Sequence, residues 1–184
     1  MAFIAIYDTS STDKTQLNEY LENSGHELVY IEDHVSKDNL RPETEAISVF
    51  VSSNVTKEII ASLPKLKLIA CRSTGYNNVD LDAAKERGIA VVNVPTYGEH
   101  TVAEYTFGLI LSLSRKLRAA AAAASAPGYS LDNLTGFDLD SKTLGIVGMG
   151  RIGQQVARIG KGFGMSVIAY DPFPAKEKAQ AIGF

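Results

Sequence analysis

Six consecutive residues, Gly148-Met149-Gly150-Arg151-Ile152-Gly153, have the spacing of a turn that can hold a phosphate group. The first glycine permits a tight turn, the second lets a pyrophosphate approach the backbone, and the third allows a helix to pack closely on a strand. A helix opening here presents unpaired N–H groups and the positive end of its dipole. The amides of Arg151 and Ile152 can therefore face an anion without help from a lysine. The glycine pattern alone is permissive, so its context decides. It follows the apolar run Leu144-Gly145-Ile146-Val147, opens a helical pattern, and leads about 20 residues later to Asp171 at the end of a second apolar run. A carboxylate at that point accepts from the ribose hydroxyls of NAD and repels the 2′-phosphate of NADP, so NAD is the expected cofactor. Asp171 also suits a strand-end turn before Pro172, and the two roles are compatible. Arg151 is assigned through its backbone, not its charge.

The elements that must carry this turn are legible around it. Lys142–Val147 and Ser166–Asp171 read as strands, with Arg151–Phe163 as the helix between them. Lys176–Ile182 reads as a further helix, and a next strand would begin at Gly183-Phe184. Upstream, short β-branched runs at Phe3–Tyr7, Glu27–Ile31, Ala46–Val51, Lys67–Cys71 and Ile89–Val94 suit a parallel sheet covered on both faces. Thr15–Asn23, Lys57–Leu63 and Leu81–Arg87 read as the short amphipathic helices between them, with Gly25 and Gly88 at helix stops. Pro95 interrupts this alternation. Thr101-Val102-Ala103-Glu104 then has the spacing of a capping box opening a long helix toward Ala126, ended by Pro127-Gly128. Apolar residues between Val102 and Leu113 fall on almost every side of that helix, which predicts burial against more than one surface. The run Ala119–Ala124 adds helix propensity and little chemistry.

Composition removes several function classes. In 184 residues the formal net charge is −3 with the cations scattered singly, so no basic stripe awaits nucleic acid or an anionic membrane. Cys71 is the single cysteine and sits in an apolar run, where burial accounts for it better than reactivity. The N-terminus lacks the pattern of a secretory signal, and the apolar stretch from Tyr105 to Ser114 is well short of the roughly 20 residues of a membrane span. A cytoplasmic, reducing location is expected. His26 and His34 flank a strand, and His100 precedes the long helix; each reads as a surface or capping residue.

Four motifs in order resemble the D-isomer-specific 2-hydroxyacid dehydrogenases, a family that includes D-lactate, glycerate and phosphoglycerate dehydrogenases. They are Arg72-Ser73-Thr74-Gly75-Tyr76-Asn77-Asn78-Val79-Asp80, Val92-Asn93-Val94-Pro95-Thr96-Tyr97, Thr101-Val102-Ala103-Glu104-Tyr105, and Leu144 through Gly153. The resemblance implies a flavodoxin-like α/β substrate domain over 1–96. Residues 97–184 would form the first half of a Rossmann NAD-binding domain, including the long helix, and the active site would lie in the cleft. It further implies that the backbone amides of Thr74 and Gly75 hold the substrate carboxylate and that Tyr97 closes the pocket of lactate-type members. Gly75 could instead be only a turn former, and Tyr97 an interdomain aromatic.

The implied reaction interconverts a D-2-hydroxy acid, lactate-like in the first instance, and its 2-keto acid. In the family a His exchanges the proton, a Glu orients it and an Arg grips the carboxylate. Those three positions fall beyond Phe184, so no catalytic residue is assigned within these residues, and they are expected to belong to a longer enzyme and to lack turnover alone. The family's dimers imply a homodimer through the helix near Thr101. A non-catalytic, corepressor-like NAD-binding protein is the alternative on the same fold.

Overall fold

The computed structural model describes residues 1–128, 130, 132–174 and 176–183, with Lys178 by its backbone alone. The chain divides into two compact units, Met1–Thr96 and Tyr97–Phe184. The expected start of a strand at Gly183-Phe184 lies outside the described residues at Phe184.

In the first unit, strands β1 (Phe3–Ile6), β2 (Glu27–Tyr30), β3 (Ala46–Val49), β4 (Leu68–Cys71) and β5 (Ala90–Val92) form one sheet in the order β2-β1-β3-β4-β5. Every pairing is parallel, and the order is that of a flavodoxin-like sheet. The helices between them are α1 (Ser11–Leu21), α2 (Lys57–Ala61) and α3 (Leu81–Glu86), with a short 3₁₀ turn at Lys37–Asn39. β-Branched and aliphatic side chains fill the interior: Ile47, Val49, Val55, Ile60, Leu63 and Ile69 are all essentially inaccessible. Each such side chain contributes roughly 1.5–3 kcal/mol relative to an exposed one. Cys71 is buried with them, and burial raises its thiol pKa.

Two expectations for this unit change. Helix α1 begins four residues earlier than its apolar spacing suggests, because Ser10 and Asp13 close a capping box: Asp13 N donates to Ser10 Oγ and Ser10 N to Asp13 Oδ2. The Ser10 hydroxyl also donates to Asp13 Oδ2, and this bond first, with that of the Ser10 amide, holds the Asp13 carboxyl below its usual range. Nor is α1 amphipathic in effect, since none of its residues is buried. Gly88 does take a left-handed conformation directly after α3.

In the second unit, β6 (Thr143–Val147) and β7 (Ser166–Tyr170) pair in parallel around α6 (Arg151–Gly162), a βαβ unit, and α7 (Lys176–Ile182) follows. Helix α4 (Glu99–Ser114) packs on α6 through Phe107, whose ring stacks on Phe163 with centroids 5.3 Å apart. Gly160 lies where α6 closely approaches β6: a Cβ there would lie 2.7 Å from Leu144 Cδ2, so that side chain would have to shift.

The long helix expected from Thr101 is corrected in three respects. It begins at Glu99, with Gly98 as N-cap and Val102 N donating to Gly98 O, so Thr101 and His100 lie within the first turn and no Thr101–Glu104 box forms. It ends at Ser114 because Phe137 N donates to Ser114 O and Lys116 adopts φ +50°. The alanine run then forms a separate helix, α5 (Leu117–Ala124). Of the apolar faces of α4, one carries the buried Ala103 and Phe107, while Val102, Tyr105, Leu109 and Leu113 are exposed. Among the described residues no helix is long and apolar enough to cross a membrane.

Candidate functional site

The glycine spacing nominates one loop and the family resemblance a second, each at the carboxyl end of a parallel strand, where open α/β sheets gather ligands.

The first follows β6. Gly148 turns the chain with φ +97°, a left-handed backbone that a side chain would strain. Its N–H donates to Tyr170 O over 2.8 Å, so the turn is pinned to the end of β7. Gly150 is the N-cap of α6, and a Cβ added there would meet nothing within 4 Å: the space in front of this backbone is open. Gly153 is different, because a Cβ there would collide with the carbonyl oxygen of Gly148. Glycine is thus required by the turn folding back on its own helix, and Ile146 Cγ2 at 3.5 Å adds the strand contact expected from spacing. The N–H groups of Ile152 and Gly153, in the first turn of α6, have no acceptor among the described residues.

Asp171 lies just past β7 and clamps this turn. Its Oδ2 accepts from Met149 N at 2.7 Å and its Oδ1 from Phe173 N at 2.8 Å. These two bonds, that of Met149 first, hold its carboxyl below the usual range despite a small opposing desolvation. The carboxylate ties the turn and, with about four lone-pair sites, keeps capacity for further hydrogen bonds. The Arg151 guanidinium lies 3.7 Å from the Glu99 carboxylate.

The second loop follows β4. Thr74 Oγ1 donates to Val94 O (3.0 Å), Val94 N to Ser73 O (3.1 Å), Asn93 Nδ2 to Thr74 O (2.8 Å), and Ser73 Oγ to Gly75 O (2.7 Å). Below the loop, Arg72 reaches across the sheet ends and donates to Ser48 Oγ, Tyr7 O and Asp8 O. The amides of Thr74 and Gly75 themselves have no acceptor among the described residues. Gly75 has an ordinary φ and open space at its Cβ position, so its backbone conformation does not itself require glycine. Two unpartnered amides on an anchored loop can accept a small carboxylate.

Tyr97 belongs to the second unit, beside Gly98, and its ring is exposed. The histidines are not gathered into either loop: Ala2 N donates to His26 Nδ1, and His34 lines an open cleft of about 420 Å³ with Asp8, Ser10, Glu32, Phe50 and Ser52. Asp8 is engaged there in structure, accepting from Phe50 N and Ser52 Oγ. Among the described residues no cluster of His, Cys, Asp and Glu could hold a metal ion.

The residues that spacing did not single out are Arg72, Ser73 and Asn93. All three stand at the polar ends of apolar strands, which is the signal that could have found them.

A family model described as D-isomer specific 2-hydroxyacid dehydrogenase, catalytic domain, matches residues 4–180. A 2-hydroxyacid dehydrogenase homolog of Zymomonas mobilis is 39% identical over 186 residues, covering 98% of this chain and 56% of the relative. D-lactate dehydrogenase of Escherichia coli is 39% identical, over 94% of this chain and 54% of its own. The crystal structure of D-lactate dehydrogenase from Aquifex aeolicus complexed with NAD and lactic acid superposes with a TM-score of 0.84 at 32% identity, over 96% of this chain and 54% of that one. The chain spans about half the length of the curated relatives it matches.

Proposed function

The chain belongs to the D-isomer-specific 2-hydroxyacid dehydrogenases, and from that premise we propose that it supplies the carboxylate-binding loop and the NAD grip of an enzyme interconverting a D-2-hydroxy acid and its 2-keto acid. In this reading residues 1–96 are the substrate domain and residues 97–184 the start of the cofactor domain.

One observation carries the cofactor assignment: the glycine turn after β6 is tied by its Met149 amide to the ionised Asp171, with open backbone at Gly150. The Ile152 and Gly153 amides, with that of Arg151, would face the pyrophosphate, and Asp171 would accept from the ribose hydroxyls and repel a 2′-phosphate. The Aquifex aeolicus relative, whose structure is a complex with NAD and lactic acid, supports the same pairing of ligands. NAD when bound supplies the hydride acceptor. The residues of this chain orient and hold, with Thr74 and Gly75 amides against the substrate carboxylate and Tyr97 as the aromatic lid of a lactate-sized pocket. No proton-transfer group in these residues is assigned, and the chain alone is expected to show no turnover.

A lone, buried Cys71 suits a reducing cytoplasm. The exposed stripe Val102, Tyr105, Leu109 and Leu113 on α4 suits a second copy of the chain as partner.

Calorimetry of the 184-residue chain with NAD and with NADP tests the cofactor reading, and binding of NAD at least tenfold tighter is expected. Equal affinities would remove the role of Asp171, and no heat with either would remove the site. NADH-dependent reduction of a 2-keto acid by the chain alone would overturn the division of labour, and a monomer in sedimentation would overturn the partner.

A further inference from the structure

The loop after β4 contains a device that its proposed ligand-binding amides do not themselves explain. A trans peptide is planar, with its C=O and N–H pointing in opposite directions, so whatever grips the carbonyl also aims the amide. The Thr74 amide belongs to the peptide whose carbonyl is Ser73 O, and that oxygen accepts from Val94 N at 3.1 Å. The Gly75 amide belongs to the peptide whose carbonyl is Thr74 O, and that oxygen accepts from Asn93 Nδ2 at 2.8 Å. One amide is therefore aimed by a backbone N–H, which no substitution short of proline deletes, and the other by a single side chain.

The rest of the geometry isolates Asn93 further. Gly75 has no Cβ to restrict its backbone and open space where one would be, so no side chain at Gly75 holds the 74–75 peptide in place. Thr74 Oγ1 is already committed to Val94 O, and Ser73 Oγ reaches the next carbonyl, Gly75 O, which aims the Tyr76 amide instead. Donation to a carbonyl also polarises the N–H at the far end of the same peptide, strengthening it toward an anion.

We propose that Asn93 is the positioning residue of the carboxylate site: its side-chain amide holds the 74–75 peptide so that the Gly75 N–H, and not the Thr74 N–H, depends on it for direction and donor strength. The inference rests on the reading that Thr74 and Gly75 bind the substrate carboxylate.

Two-dimensional amide NMR of the ¹⁵N-labelled 184-residue chain, titrated with oxamate as a 2-keto acid analogue, tests it. In the unaltered chain both the Thr74 and Gly75 resonances move with a common dissociation constant. Asn93→Asp keeps the shape and replaces the donor by an acceptor facing Thr74 O. It should weaken binding about tenfold, the scale of one hydrogen bond to a charged group, and abolish the Gly75 response while the Thr74 response persists. Asn93→Ala, which removes the donor without adding repulsion, should show the same split in weaker form and serves if the aspartate variant does not fold. Unchanged affinity and an unchanged Gly75 response in a folded variant overturn the proposal while leaving the carboxylate reading intact. Equal loss at Thr74 and Gly75 also overturns it, because a general loosening of the loop would do that. No response of either amide in the unaltered chain overturns the carboxylate reading, and the proposal with it.

Discussion

The loops after β4 and after β6 solve one problem in two ways. Each ends a parallel strand and presents backbone N–H groups toward solvent. After β6 the conformation is enforced by the absence of side chains: Gly148 takes a left-handed φ, and Gly153 leaves no room for a Cβ against Gly148 O. After β4 it is enforced by their presence, because Arg72, Ser73, Thr74 and Asn93 spend their donors on neighbouring carbonyls while Gly75 sits in open space. A glycine in a motif can thus be a steric necessity or merely a gap for a ligand, and the two are indistinguishable in the sequence.

Four measurements press on this contrast. The largest effect is expected from Gly153→Ala, which forces a methyl group into a backbone oxygen that cannot move without opening the turn. The second unit should lose about 3 kcal/mol of stability in urea unfolding, and a loss below about 0.5 kcal/mol would show that the turn is not sterically locked. Next, Arg72→Met removes three hydrogen bonds across the strand ends. Charged donors in such bonds are worth roughly 1.5–3 kcal/mol each, largely offset by the burial of the cation, which leaves a net loss of about 2 kcal/mol in the first unit. No change on this substitution would place the anchoring of the loop elsewhere.

A smaller effect attends acidification. The Asp171 carboxyl is depressed by the amides of Met149 and Phe173. Whatever stability it lends is fully present above the ordinary carboxylate range and is lost only as the pH falls through its lowered value. A ¹³C carboxyl titration should find it ionised after most other aspartates have protonated, and an ordinary midpoint would mean the clamp is not formed. The smallest effect is expected from Gly75→Ala, which should change stability by less than about 0.5 kcal/mol because the added methyl group meets no neighbour. A large loss there would erase the contrast between the two loops.

Much of the fold was legible because its signals are local. Among the described residues all seven strands lie where β-branched runs stand, and α6 and α7 follow helical spacing closely. The errors fall where one residue's partner is far away in sequence. Helix α4 stops at Ser114 because Phe137 claims its last carbonyl, and the Gly98 backbone, not the side chains of Thr101 and Glu104, caps its start. The glycine turn was readable as a candidate from its spacing, and Thr74 and Gly75 only through the family resemblance. The residues that aim them were not, since Arg72 and Asn93 act on carbonyls distant along the chain or across a strand.

By itself, the sequence determined the residue types that chemistry needs: glycines ahead of a helix, a carboxylate at the next strand end, and apolar runs of period and length suited to parallel strands. These follow from spacing, because backbone geometry along one element is set by its own residues. Only tertiary structure decided which glycine is indispensable and which is open, where the α4 helix breaks, and that Asp171 ties the turn it faces. Each of those depends on a distance between atoms that the chain brings together only after the sheet has closed, and no local rule contains that distance.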